Sequence, residues 1–376
     1  MNKRLISILI TATLVVIQSH AEKDAELKKS PAEWRKEAQK KSEASHAFSA
    51  HFSYDGDVAA NIQGGVKQGT KYVGYATLSL NLDIEKAGGW KGGELLVSGA
   101  NTQGGGFSEE LVGDRFYADD NDVGNYTFLT EIWYKQNFND RIDFTVGLQD
   151  INSNFAANDE SSMFVNAAFG MNAVFSQNIM PPSFPLNGLG FELGWNINNR
   201  WRWQACAYDG FVEGFEENPA NIRWKIKPNE GFVLATEWQY SHEEHGTYKL
   251  GADYHTETNL YGIYASIESH PSARTTIFSQ LAYAPKKRND VYATASLGFN
   301  FHKLFSKRHV DVLGIACVSN LFTNNEKHET ICELTYKYRI VKFLYVQPDI
   351  QYIINPSLYE GTKNALLAVV RLSVKL

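Results

Sequence analysis

The stretch Leu344-Tyr345-Val346-Gln347-Pro348-Asp349-Ile350-Gln351-Tyr352-Ile353-Ile354 alternates, with Leu344, Val346, Pro348, Ile350, Tyr352 and Ile354 against Tyr345, Gln347, Asp349 and Gln351. Successive strand residues point to opposite faces, so a period of two describes a strand with one greasy and one wet face. The end of the chain repeats the pattern, Leu366, Ala368, Val370, Leu372, Val374 and Leu376 set against Arg371, Ser373 and Lys375. Earlier runs do the same: Tyr72, Gly74, Ala76, Leu78, Leu80, Leu82 and Ile84, then Ile142, Phe144, Val146 and Leu148.

Marking every such run from Phe48 onward predicts about sixteen strands, near 50–61, 71–84, 92–101, 127–138, 141–150, 188–197, 200–209, 230–241, 246–255, 258–269, 273–284, 290–301, 308–318, 329–339, 343–354 and 364–375. An even number of half-greasy strands with no helical span matches a transmembrane antiparallel up-and-down β-barrel, the expected all-β fold class. The connections alternate: 102–126, 151–187 and 210–229 are long, whereas Asn139-Asp140 and Asn198-Asn199 are tight turns. That alternation predicts both termini on the periplasmic side with the long loops outside, the short outer connection near Glu257 being an exception. Phe138, Trp195, Trp201 and Phe343 fall at the expected periplasmic strand ends, where aromatic residues sit at a membrane interface.

The composition agrees. Aromatic residues make up 13% of the chain, with 19 Tyr and 22 Phe, as two girdles require. The balance of 36 basic and 42 acidic residues gives no field that would draw nucleic acid. Cys206, Cys317 and Cys332 are too few and too far apart for a disulfide framework or zinc site, and no cofactor is implied. Counting back equally from the centre of the loop Ser319 to His328 places Cys317 opposite Cys332, within disulfide reach; two small apolar lipid-facing residues is the alternative.

Ahead of the strands, Met1 to Ala21 carries Lys3 and Arg4, an apolar run from Leu5 to Ile17 and the ending Ser19-His20-Ala21. These are the marks of a secretory signal peptide cut after Ala21, because the run falls short of the roughly 18 residues a spanning helix needs. In the charged tract 22–47, Ser30-Pro31-Ala32-Glu33 reads as a capping box opening a short periplasmic helix to about Ala44. The expected organisation is therefore a leader over 1–21, a helical segment over 22–47 and a barrel over 48–376.

Specific residues resemble a family. Gly69-Thr70-Lys71-Tyr72, Leu80-Asn81-Leu82-Asp83 and Gly89-Trp90-Lys91-Gly92-Gly93 look like the opening strands of the OprB-type carbohydrate-selective porins. So do Glu131-Ile132-Trp133-Tyr134-Lys135-Gln136-Asn137-Phe138 and Val146-Gly147-Leu148-Gln149-Asp150-Ile151-Asn152 with Phe155. Pro182-Ser183-Phe184-Pro185, Gly188-Leu189-Gly190, Glu329-Thr330-Ile331-Cys332-Glu333 and Gln347-Pro348-Asp349-Ile350-Gln351-Tyr352-Ile353 follow in the family's order. The resemblance implies a sixteen-stranded barrel of the cell outer membrane that passes glucose-like mono- and oligosaccharides passively. Implied partners are those sugars, outer-membrane lipid and lipopolysaccharide, and the barrel-assembly machinery; monomer and homotrimer both stay open. Such barrels commonly end on an aromatic residue, whereas this chain ends Val374-Lys375-Leu376.

A sugar presents hydroxyls and apolar faces, so its channel needs hydrogen-bonding groups and aromatic planes that bind weakly enough to release it. Alternation turns Glu131 and Trp133 inward between Ile132 and Tyr134, and it also turns Tyr75, Glu192, Arg202, Asp349 and Arg371 inward. Each alone also reads as ordinary wet wall; the pair Glu131 and Trp133 is favoured because the resemblance falls there. The segment from Asn152 to Pro185 is too long for a hairpin and carries Asn152, Asn154, Phe155 and Phe184. Folding inward to narrow the pore is its expected role, an outward lid the alternative. Two rivals are a lumenal hydrolase, against which no G-x-S-x-G elbow occurs and the His residues scatter, and a secreted β-rich sugar-binding protein.

Overall fold

The computed structural model describes residues 46–139, 141–227, 229–242, 245–305, 311–323 and 328–376. The expected leader and the helix to about Ala44 lie outside them. In chain order the strands are β1 (Phe48–Gly65), β2 (Gly69–Asp83), β3 (Gly93–Gly104), β4 (Thr127–Phe138), β5 (Ile142–Gln149), β6 (Gly188–Asn196), β7 (Trp201–Asp209) and β8 (Phe232–His242). They continue as β9 (Gly246–His255), β10 (Tyr261–Ser272), β11 (Thr275–Tyr283), β12 (Val291–His302), β13 (Asp311–Phe322), β14 (His328–Val341), β15 (Leu344–Ile354) and β16 (Lys363–Lys375). A short helix, α1 (Ala173–Asn178), lies in the connection from β5 to β6.

Each strand pairs antiparallel with its sequence neighbours, and β1 pairs with β16, so the sheet closes on itself. Closure removes the edges, which is what a sheet in hydrocarbon requires, since an unpaired N–H or C=O there has no water to turn to. The sixteen strands coincide with the sixteen alternating runs. The larger departures are β1, which continues to Gly65, and β13, which spans Asp311–Phe322. In β1 the register against β16 shifts between Asn61 and Gln63 and again between Gln63 and Gly65. Those bulges carry pairing through Gly64-Gly65, residues that by composition mark a turn.

The barrel is apolar outside and polar inside. Leu78, Leu80, Val97, Val146, Phe191, Leu250, Leu281, Ile350 and Val370 are exposed on the outer wall, while Ser98, Gln204, Glu237, Glu333 and Gln351 are buried facing inward. Phe138, Trp195, Trp201 and Phe343 are exposed at the short-turn end, and Tyr72, Tyr261, Tyr283 and Tyr352 at the opposite end, giving two aromatic rims. The β13–β14 register places Cys317 opposite Cys332, and the two form a disulfide with Cα atoms 4.1 Å apart. They share the outer face with Ile315 and Leu334, so the bond and the lipid-facing position hold together; Cys206 is free and buried.

Candidate functional site

The connection 150–187 folds into the barrel and runs along the inner wall, which supplies the hydrogen bonds its irregular backbone lacks. Glu192 on β6 accepts from the Asn154 side-chain amide at 2.7 Å, and Gln204 on β7 donates to the Asn154 carbonyl at 2.7 Å. Further round, Glu237 on β8 accepts the Ala156 N–H at 3.1 Å and Lys249 on β9 donates to the Ala157 carbonyl at 2.7 Å. Glu268 on β10 accepts the Asp159 N–H at 2.5 Å, and Asn300 on β12 donates to the Glu160 carbonyl at 2.8 Å. Glu333 on β14 accepts two successive N–H groups, those of Val165 at 2.6 Å and Asn166 at 3.0 Å. Gln347 on β15 donates to the Met163 carbonyl at 2.8 Å. On the way back Gln280 on β11 donates to the Gly170 carbonyl at 3.2 Å, and Asn178 of α1 donates to the Val291 carbonyl at 2.7 Å. Carboxylate acceptors suit this work because charge-assisted bonds are about twice as strong as neutral ones.

Apolar packing completes the seat. Phe155, Phe164, Phe169 and Phe175 are buried, with the Phe164 ring 5.4 Å from Phe278 of the wall and Phe175 stacked at 6.3 Å on Tyr264. The wall makes room with small residues: a Cβ on Gly314 would stand 2.3 Å from Met163 Cε and 2.9 Å from the Phe164 ring.

A second connection, 105–126, also turns inward. It leaves β3 through Gly104, Gly105 and Gly106, whose φ values of 75°, 104° and 77° are costly for other residues. Asp122 then accepts the Gly106 and Ser108 N–H groups at 2.6 and 2.8 Å. Its tip meets Arg371 on β16, whose Nη2 lies 3.1 Å from Asp119 and 2.5 Å from Asp120. Gln351 holds the Ala118 carbonyl at 2.8 Å, and Arg115 gives its N–H to Glu329 and forms an ion pair with Asp290. The two inserted loops join where Asp120 N–H donates to the Val165 carbonyl at 2.9 Å and Ala167 N–H to the Tyr117 carbonyl at 3.0 Å.

These loops cover the wall unequally. Glu192, Asp349 and Arg371 lie beneath them, 7%, 2% and 7% exposed. Tyr75, Glu131, Trp133 and Arg202 stay half-exposed on the inner face, as do Asp55 and Asp150. Here wall and loop come together: the Tyr75 ring stands edge-on to Phe184, centroids 5.0 Å apart. Tyr75 is within electrostatic reach of Asp150, Asp120, Asp55 and Glu131, and the Trp133 indole adjoins the Glu131 carboxyl. Arg202 is held away from this group by a two-pronged bond to Asp143 at 2.8 and 3.0 Å. In the loop, Asn152 is half-exposed, Asn154 exposed and Phe155 buried. Asp150 accepts the Asn152 N–H at 2.8 Å and the Phe184 N–H, and burial pushes its carboxyl up to about 6.

Asp55, Asp120 and Asp150 were not among the residues singled out by alternation. Asp120 lies in a connection, where period two says nothing; Asp150 closes the expected strand 141–150 on the parity of Ile142 to Leu148, whereas β5 ends at Gln149 and leaves it to the connection. The available signal was the run Asp119-Asp120-Asn121-Asp122 in a chain whose last strand turns Arg371 inward.

Residues 67–260 and 255–376 match the family described as carbohydrate-selective porin, OprB family. The chain is 22% identical over 402 residues to Porin B of Pseudomonas aeruginosa, covering 85% of each. Among solved structures it is similar to the high-pH structure of Pseudomonas putida OprB, with a TM-score of 0.78, 18% identity and 88% and 94% of the two chains covered. The low-pH structure of that protein gives 0.60 at 18% identity over 93% and 98%. A triple mutant of Rhodopseudomonas blastica porin gives 0.54 at 10% identity over 88% and 100%.

Proposed function

The chain belongs to the carbohydrate-selective porin, OprB family, and on that premise we propose that sugars cross its barrel through the sector left open beside Tyr75, Phe184, Glu131 and Trp133. The protein is an outer-membrane β-barrel porin for passive diffusion of carbohydrate. The observation that carries the choice of sector is the approach of the Tyr75 and Phe184 rings, 5.0 Å apart, one from the wall and one from the inserted loop.

An aromatic plane takes the apolar face of a pyranose, while carboxylates such as Glu131 and Asp150 accept from its hydroxyls. Two or three such contacts in a wet channel give the weak, multi-site binding that conduction requires. Glu192, Asp349 and Arg371, beneath the loops, support the sector indirectly by fixing the loops that bound it; Arg202 lines the lumen beside Asp143.

In this reading the long connections lie at the outer end of the barrel, and β1 begins and β16 ends on the periplasmic side. The porin relatives favour a channel over a hydrolase. The test is current through planar bilayers with millimolar mono- and disaccharides added. Open channels whose current falls with sugar are expected, and Glu131→Gln, Trp133→Ala and Tyr75→Ala each weaken the block. Well-folded protein that conducts but is never blocked by sugar, or variants that block like the parent, would overturn the assignment.

A further inference from the structure

At the long-connection end, the outer face of the barrel is not flush around the seam. β1 runs past Asn61 through two bulges to Gly65, which pairs with Lys363 at the start of β16. Gly64 takes a φ of 75°, and a Cβ there would stand 1.7 Å from the Asn364 carbonyl oxygen, so glycine alone lets the two backbones meet this way. Bulges turn a strand aside. Between the β1–β2 turn and the connection 355–362, the surface leaves an open hollow of about 1160 Å³.

The hollow lies on the lipid side. Tyr352 and Leu366 line it, and alternation puts them on the outer face with Ile350 and Val370. Val66 and Tyr359 line it as well, 47% and 44% exposed, beside the aromatic rim to which Tyr352 belongs. The rest of the lining is polar: the amides of Gln63, Gln68 and Asn364 and the ammonium groups of Lys67 and Lys363. The Asn364 amide donates to the Tyr352 hydroxyl at 3.2 Å. One carboxylate, that of Glu360, stands against the two lysines. Lys67 is 61% exposed and 4.0 Å from Glu110, which Lys71 holds more closely at 3.0 Å. Lys363 is exposed and forms no ion pair among the described residues.

We propose that this hollow is a binding site for a phosphorylated glycolipid of the outer leaflet, the lipid anchor of lipopolysaccharide. Each part of the lining answers a part of that ligand. Ammonium groups on Lys67 and Lys363 make charge-assisted hydrogen bonds to a phosphate, and their long stems let the heads reach the headgroup level. Tyr352 and Tyr359 offer planes to the faces of sugar rings, and the amides of Gln63, Gln68 and Asn364 pair with ring hydroxyls. Leu366 and Val66 continue the surface toward hydrocarbon, where an acyl chain lies against the wall. A glycerol phospholipid brings the phosphate but not the phosphorylated sugar rings that the tyrosines and amides address. The site takes its leaflet from the orientation proposed above, with the long connections outward, and is independent of the sugar path inside the barrel.

The experiment uses the full protein, purified in detergent and freed of co-purified lipid, with native mass spectrometry to count bound lipid. The probes are diphosphorylated lipid A, its dephosphorylated form and phosphatidylglycerol. The test variant is Lys67→Gln with Lys363→Gln. The control is Lys287→Gln with Arg288→Gln, exposed cations of the same barrel end that lie outside the hollow. Heat-modifiable gel migration confirms that each variant barrel is folded. The parent and the control are expected to take up one diphosphorylated lipid A at severalfold lower concentration than either other probe, and the test variant to lose that advantage. Parent-like uptake by the test variant, or an equal loss in the control, overturns the site. Equal uptake of the dephosphorylated form by the parent overturns the role of phosphate, and equal uptake of phosphatidylglycerol overturns the choice of a glycolipid. Sugar block of the channel current, measured on the same variants, is expected to match the parent, so a failure here leaves the sugar path standing.

Discussion

Arg371 on the last strand stands directly opposite Asp57 on the first, and its guanidinium reaches both Asp57 oxygens at 2.8–3.0 Å across the seam that closes the barrel. The same group holds Asp119 and Asp120 of the inserted loop, so one cation joins barrel closure to loop position. Arg371→Met would leave three carboxylates crowded without their partner, and breaking a buried pair from one side costs about 3–5 kcal/mol. The variant is expected to shift from its folded to its unfolded gel position at markedly lower temperature than the parent. Asp119→Asn with Asp120→Asn, which keeps the Asp57 pair, should cost less. Equal transition temperatures for Arg371→Met and parent would refute the seam's role.

The seat of the long inserted loop makes a separate prediction. Glu333 takes two successive backbone N–H groups, and Phe164 packs between Phe169 and Phe278. Phe164→Ala removes a buried ring, a change that costs about 3–5 kcal/mol in packed cores. Here the loss falls on the loop more than on the strand ladder, because the barrel's hydrogen bonds do not pass through Phe164. Larger or noisier single-channel conductance is expected for Phe164→Ala and for Glu333→Gln, with gel migration still that of a folded barrel. Conductance identical to the parent in both would mean that the loop does not bound the open path.

The alternation of Leu344 to Ile354 and of its fellows was enough to place the strands, because in a barrel every strand has one lipid face and one lumen face and none is buried on both. The same signal could not say what an inward residue does. Glu192 and Glu131 both face inward and read alike, yet the first lies under Asn154 and Tyr208 and the second stays half-exposed. That difference is made by the path of residues 150–187, an irregular segment whose course depends on long-range partners such as Glu237 and Glu333. The inward turn of 105–126 was hidden for the same reason, although the Gly104-Gly105-Gly106 exit is visible in the chain.

The Cys317–Cys332 bond lies on the outer face of β13 and β14, where register alone brings the two together. Protein denatured without reductant should therefore show one reactive thiol, that of Cys206, and three after reduction. Three thiols before reduction would show that the bond does not form in the isolated protein.

The last prediction concerns pH and follows from Asp150. Burial raises its carboxyl to about 6 against the N–H groups of Asn152 and Phe184, which work the other way. A group with that value is mostly charged at pH 7.5 and mostly neutral at pH 5, so acidification removes one negative charge from the open sector. The groups facing it are Glu131 and Tyr75 on the wall, with Asp55 and Asp120 beyond. Preference for cations over anions is expected to decline as pH falls from 7.5 to 5, measured as reversal potential in a fixed salt gradient. Asp150→Asn should begin with the smaller preference at pH 7.5 and lose the part of the decline centred near pH 6. A parent potential that stays flat across this range, or an Asp150→Asn profile with the parent's midpoint and amplitude, would remove Asp150 from the set of groups that the permeating ion meets.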